Sequence, residues 1–342
     1  MAAAAPTLTA CTTPSPPEYA SLQGKGLGTS WTVRWSAAGN VEAPAVEDAV
    51  LAALRDVDEG MSTWRDDSDL AAVRRGPGAV AVRADTAFVV RQALALAEET
   101  GGAFDPTVQP LVELWGLHGA PRTTWPSDEE LGAARAQLGW ARVAVTDGPD
   151  GAAVDAGGTA LDLSAIAKGH AVDRVVGALG ALGVTDLMVE VGGEVRAHGR
   201  SPRGGAWVLG VDRPVVGSQP GEGLVATVRL ANAAMATSGN YRTAYEVEGR
   251  TVHHTLDPRT GLPASARVLS ATVVAPDCRT ADGWATALMV LGPEEGLPLL
   301  SRHPDLEAWV VVADGDGWRT ASTPGMDALL ASTSLEGGPA RD

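Results

Sequence analysis

Apolar and polar positions alternate with a period of two in Thr29-Ser30-Trp31-Thr32-Val33-Arg34-Trp35, which predicts a strand with one buried face. The period lengthens in Val46–Val57, where apolar residues recur at helical spacing. Ala87 to Thr100 repeats that spacing and ends at Gly101-Gly102, a pair suited to a left-handed helix end. Ser127-Asp128-Glu129-Glu130 reads as a further helix start, a hydroxyl cap followed by acids that complement the positive end of the helix. Short apolar or alternating runs predict strands at Arg142–Thr146, Thr159–Leu163, Asp186–Val191, Trp207–Val211, Leu224–Leu230, Ala271–Val274 and Ala308–Ala313. Thr280–Leu291 predicts a helix, and another runs from the turn after Leu163 to Leu179, where it has the place of a β–α crossover. Strands and helices mix without the strict alternation of a doubly wound sheet, so the predicted class is α+β.

Composition narrows this picture. The chain has 342 residues, 45% of them hydrophobic, enough for a substantial core. A single domain over 21–331 is expected, between a leader and linker (1–20) and a disordered tail (332–342). The formal net charge of -16 repels nucleic-acid backbones and argues against such a partner. It also means that a phosphate ligand must be held by local cations or a metal. The 2 cysteines, Cys11 and Cys278, make neither a disulfide framework nor a zinc spacing. No apolar run approaches the roughly 18–20 residues of a membrane span. Leu8-Thr9-Ala10-Cys11 resembles a lipoprotein cleavage motif, and Thr12 to Pro17 a flexible tether. No basic residue precedes the motif and its apolar stretch is short. Two locations therefore stay open, the cell envelope through a lipid anchor at Cys11, or the cytoplasm behind an unstructured leader.

The chemistry concentrates in a few segments. Asp162-Leu163-Ser164-Ala165-Ile166-Ala167-Lys168-Gly169-His170-Ala171-Val172-Asp173 reads as a short strand, a turn and a helix, with two carboxylates and a lysine near a helix start that favours anions. The same segment also fits a plain turn with a solvated lysine. Asp282 and Thr286 stand four apart on one helix face, a hard-oxygen pair suited to Mg²⁺ or Ca²⁺, or alternatively a first-turn acid beside an inward threonine. His254 precedes the rigid turn Pro258–Gly261, where an imidazole can take a proton from a hydroxyl or serve only structure. Gly192-Gly193-Glu194 ends a predicted strand and leaves room for a ligand or another backbone. Thr237-Ser238-Gly239-Asn240-Tyr241-Arg242 is a small-residue turn with the composition of a phosphate cradle or a simple loop.

Taken in order, Gly28-Thr29, Phe104–Leu111, Asp162–Asp173, Gly192-Gly193, Ala236–Tyr241, His254–Gly261 and Asp282–Thr286 resemble the ApbE-like family of FAD:protein FMN transferases over Gly24 to Leu300. The resemblance implies an ApbE-like, T-fold-like architecture of antiparallel sheets and packed helices. It implies an enzyme that uses Mg²⁺ to cleave the pyrophosphate of FAD. The FMN half passes to a Thr or Ser hydroxyl of an acceptor protein, such as the FMN-binding domain of a redox complex, and AMP is released. By the same resemblance Asp282 and Thr286 are Mg²⁺ ligands, joined by the backbone carbonyl of Ala165. Lys168 lies near the phosphates or flavin and Asp162 bonds the nucleotide, while Ala103, Phe104 and Asp105 form a ring-contacting segment. Leu27 and Trp64 stand where relatives often carry Met and Tyr, as apolar surfaces for a flat ring. Leu256 lines the pocket, and His254 assists deprotonation of the acceptor hydroxyl.

Three positions depart from the family pattern: Ser164 where Gly is common, Gly283-Trp284 beside the presumed metal acid, and Leu27 for Met. None removes a presumed functional side chain. The alternatives are an FAD pyrophosphatase that passes FMN to water, and an FAD-binding protein without turnover.

Overall fold

The alternating run at Thr29 forms one arm of a hairpin in which Tyr19–Gly26 and Thr29–Ser36 pair antiparallel. Trp31, Val33 and Trp35 point into the core, as the period of two requires. The computed structural model describes residues 18–333, apart from 40, 118, 150, 216, 219, 220, 242, 243 and 316. The Leu8–Cys11 motif lies outside the described residues. The first strand begins at Tyr19, inside the span expected to be leader.

This hairpin opens an eight-stranded sheet that continues through Leu187–Val191, Glu194–His198, Ala233–Gly239, Val268–Ala275, Glu307–Asp314 and Gly317–Ser322. Every neighbouring pair is antiparallel. Helices Ala43–Met61, Ala84–Glu99, Ser164–Ala181 and Cys278–Leu300 belong to the core on one face. A three-stranded sheet of Trp207–Asp212, Leu224–Leu230 and Leu330–Thr333 covers part of the other. Alternate residues of the central strands feed the two cores: Val273, Val310 and Val312 one, Val274, Trp309 and Val311 the other. All eight residues of Val268–Ala275 are buried for this reason, which erases the alternation that marks a half-buried strand.

Two expectations fail. The helix Ser164–Ala181 leads into Leu187–Val191, but that strand pairs antiparallel with both neighbours, so the helix is no parallel crossover. Thr159–Leu163 is not a strand. Thr159 Oγ1 donates to the Ala156 carbonyl (2.8 Å), Asp162 N to the Pro106 carbonyl (2.7 Å) and Ser164 N to Asp162 Oδ1 (2.7 Å). The two local bonds and the one to Pro106 replace a ladder. The strand expected at Arg142–Thr146 is displaced to Ala144–Gly148, behind a 3₁₀ turn at Trp140–Arg142.

The two helices that build the site cross closely. A Cβ on Gly169 would stand 2.3 Å from the Cys278 carbonyl oxygen, so only glycine lets the backbones approach this far. Asp173, one turn further on, accepts from the N–H groups of Cys278 (2.9 Å) and Arg279 (3.0 Å). It also pairs with Arg196 (2.6 Å), so this carboxylate caps the second helix. Asp277 adds the usual cap, accepting from Thr280 N at 2.9 Å. The second helix breaks at Gly292 (φ 71°), just before Pro293.

Candidate functional site

A cavity of about 890 Å³ opens where these helix starts meet the Gly192-Gly193 turn, the loop at Ala103–Val108 and the segment His254–Pro258. Its apolar walls come from separate cores. Val112 and Leu256 belong to one cluster, and Val211 and Met235 to the one beneath the small sheet. The lining also has a polar part that includes Asp162, Lys168, Glu194, Ser238, Asp282 and Thr286.

Charge in this lining is lopsided. Lys168 is the only lysine or arginine among the described lining residues, beside Asp105, Asp162, Glu190, Glu194, Asp212 and Asp282. That lysine is already engaged, 3.0 Å from Glu194 Oε1 and 3.4 Å from Asp282 Oδ1. Burial works against its charge, but Asp282 and Glu194 outweigh burial and raise its pKa above the ordinary 10.5. Burial, reinforced by Asp282 and opposed by Lys168, pushes Glu194 up to about 8. Asp282 Oδ2 accepts the Gly169 N–H at 2.9 Å, which ties the helix Cys278–Leu300 to the lysine-bearing one.

Most of the sequence-derived site residues meet here. Ala103, Phe104, Asp105, Asp162, Ala165, Lys168, His254, Leu256, Asp282 and Thr286 all line the cavity. Burial raises the Asp105 carboxyl, offset by the Thr107 hydroxyl and N–H that it accepts at 2.6 and 2.7 Å. Thr286 Oγ1 lies 3.3 Å from Ser238 Oγ, at the end of the strand Ala233–Gly239. Leu27 and Trp64 are not brought to the cavity lining. Leu27 sits in the hairpin turn at φ 52° against the helical core, and Trp64 is 72% exposed beyond the helix Ala43–Met61.

Glu194 is the residue that sequence reasoning undervalued, noting it only as the end of a glycine turn. It is buried, and its Oε2 has no hydrogen-bond partner. Gly192 (φ 63°) beside it must be glycine for the sake of Thr29, whose Cγ2 a Cβ there would meet at 2.9 Å. Gly-Gly followed directly by an acid is the signal that marks the position.

Asp282, Thr286 and the Ala165 carbonyl offer only hard oxygen donors, which suits a magnesium-type ion and not zinc. No group of three or more His, Cys, Asp or Glu converges on one point among the described residues. An ion here would therefore complete its shell with waters and substrate oxygens. The excess of carboxylates supplies the physical reason for such an ion, because a phosphate ligand needs a cation beyond Lys168.

The model of the ApbE family matches residues 27–310. The chain is 33% identical over 317 residues to the FAD:protein FMN transferase of Haemophilus influenzae, covering 90% of this chain and 91% of that one. It is likewise 33% identical over 320 residues to the Vibrio cholerae protein of the same name, covering 92% and 94%. Among solved structures, the flavin transferase ApbE from Vibrio cholerae superposes with a TM-score of 0.81 at 33% identity, covering 92% of this chain and 100% of that one. The apo form of the Pseudomonas stutzeri flavinyl transferase ApbE gives 0.81 at 34% identity, covering 93% and 98%.

Proposed function

This chain belongs to the ApbE family, and from that premise we propose that it is an FAD:protein FMN transferase. One observation carries the reading: a single cavity gathers apolar residues from two cores, a polar lining and an oxygen donor set. That arrangement fits a dinucleotide with a flat ring at either end and a pyrophosphate between them.

An oxygen of the acceptor's Thr or Ser hydroxyl forms a bond to the phosphorus on the FMN side. The bond from that phosphorus to the bridging oxygen breaks, AMP leaves with the electron pair, and the hydroxyl proton passes to a base. Asp282, Thr286 and the Ala165 carbonyl would hold Mg²⁺, which supplies charge neutralisation to the phosphates. Lys168 provides a fixed positive charge beside the same oxygens. Asp162 and the Ala103–Asp105 segment orient the nucleotide, and His254 stands at the cavity wall to accept the proton. The acceptor is a protein presenting a Thr or Ser hydroxyl, such as an FMN-binding redox domain.

Incubation with FAD, Mg²⁺ and such an acceptor, followed by intact-mass measurement, tests the reading. A gain of one FMN by the acceptor, dependent on its hydroxyl, is expected. FMN and AMP without an adduct would make the protein a pyrophosphatase, and bound, unchanged FAD a carrier. The Leu8–Cys11 motif supports attachment at the cell envelope; palmitate labelling that persists in Cys11→Ala would refute that part.

A further inference from the structure

Lys168 has two carboxylate partners, and the proposed chemistry needs one of them elsewhere. If Asp282 ligates a cation, the lysine must give up its 3.4 Å contact there without following the carboxylate into the metal site. Glu194 Oε1, at 3.0 Å, is the closer partner. The Glu194 carboxylate is buried, its Oε2 is unpartnered, and it reaches the cavity from the strand Glu194–His198, a different element from the helix that carries Asp282. Lys168 itself is fixed on a third element, the helix Ser164–Ala181.

We infer that Glu194 is a positioning residue that anchors Lys168 and so leaves Asp282 free to take a divalent cation. The inference rests on the cation reading above and deepens it. Without metal, Lys168 is shared between Glu194 and Asp282. When a cation takes Asp282, Lys168 remains on Glu194, poised toward the phosphates instead of repelling the ion across a shared carboxylate. In a Glu194→Gln protein the lysine has Asp282 as its only carboxylate partner, so an incoming cation must displace it from a full ion pair.

The test is Mn²⁺ binding to the full chain, read by electron paramagnetic resonance of the free ion, with no flavin and no turnover. Glu194→Gln is expected to weaken Mn²⁺ by at least about tenfold, the scale of redirecting one charged hydrogen bond. Lys168→Met alone should tighten Mn²⁺, because Asp282 Oδ1 is released. In the Lys168→Met background the Glu194→Gln effect should shrink to about threefold or less, the remainder being Coulomb attraction across the cleft. An undiminished effect in that background would mean that Glu194 acts on the ion directly and would overturn the inference. So would unchanged Mn²⁺ affinity in Glu194→Gln, or looser binding in Lys168→Met. Wild-type protein that binds no Mn²⁺ would instead remove the cation reading itself. Melting curves for each variant establish that it is folded, and Glu194→Asp, which keeps the charge, should retain most of the wild-type affinity.

Discussion

Replacing Asp282 separates chemistry from stability, because its two oxygens do different jobs. Oδ2 accepts the buried Gly169 N–H at 2.9 Å, and Oδ1 faces Lys168 at 3.4 Å. Asp282→Ala leaves that N–H without an acceptor, a loss of about 1–3 kcal/mol. At about 2–4 °C per kcal/mol for larger domains, the melting temperature should drop by several degrees. Lys168 stays paired with Glu194 and contributes little to the loss. Asp282→Asn keeps an oxygen for Gly169 and removes only the charge, and it relieves repulsion with Glu194. Its melting temperature should stay within a degree or two of wild type. Yet, on the proposed reading, FMN transfer should fall at least about a hundredfold, because a ligand of the cation that would neutralise the phosphates is gone. The assay pairs differential scanning calorimetry with single-turnover transfer followed by intact mass. A folded Asn variant that transfers FMN within about tenfold of wild type would refute Asp282 as a metal ligand.

Three other outcomes follow from the packing. Asp173→Ala strips a cap from two N–H groups and a partner from Arg196, and should cost about 2–4 kcal/mol in urea unfolding, with Asn recovering part of it. Gly169→Ala drives a methyl against the Cys278 carbonyl and should cost about 1–3 kcal/mol while weakening Mn²⁺ binding, because the Gly169–Asp282 bond shifts with it. His253, unlike its neighbour His254, is buried, and burial lowers its pKa below the ordinary 6.5. The unfolded chain therefore takes up the proton first, so stability is fully present above pH 6.5 and is lost as pH falls toward the folded-state value. His253→Leu should flatten the decline in melting temperature between about pH 6.5 and 5, and an unchanged slope would assign the acid sensitivity elsewhere.

Elements with a strong local signal were legible. Ser127 and Glu130 make the reciprocal capping box their spacing suggests, and the helix Ala84–Glu99 ends before Gly101 and Gly102 at positive φ. The strand Ala233–Gly239 was not legible, because its Ala, Ser and Gly carry little β preference and its single Thr is too little to mark a strand. It exists because Glu194–His198 and Val268–Ala275 pair with it on either side. Ser238 next to Thr286 was hidden for the same reason.

Sequence alone determined the α+β class, the i, i+4 oxygen pair at Asp282 and Thr286, and the ordered set of motifs that marks the family. These are local properties, set by the period of side chains along one segment and by chemistry written within a few residues. Tertiary structure alone decided what the segment Asp162–Asp173 does with its charges. Asp162 closes a turn at the cavity wall, Asp173 caps a helix that starts over a hundred residues later, and Lys168 lies between Glu194 and Asp282. Those assignments depend on which backbones approach across the fold, and on a glycine at 169 that lets two helices touch. The pattern of one segment cannot encode a partner that only packing brings within hydrogen-bond reach.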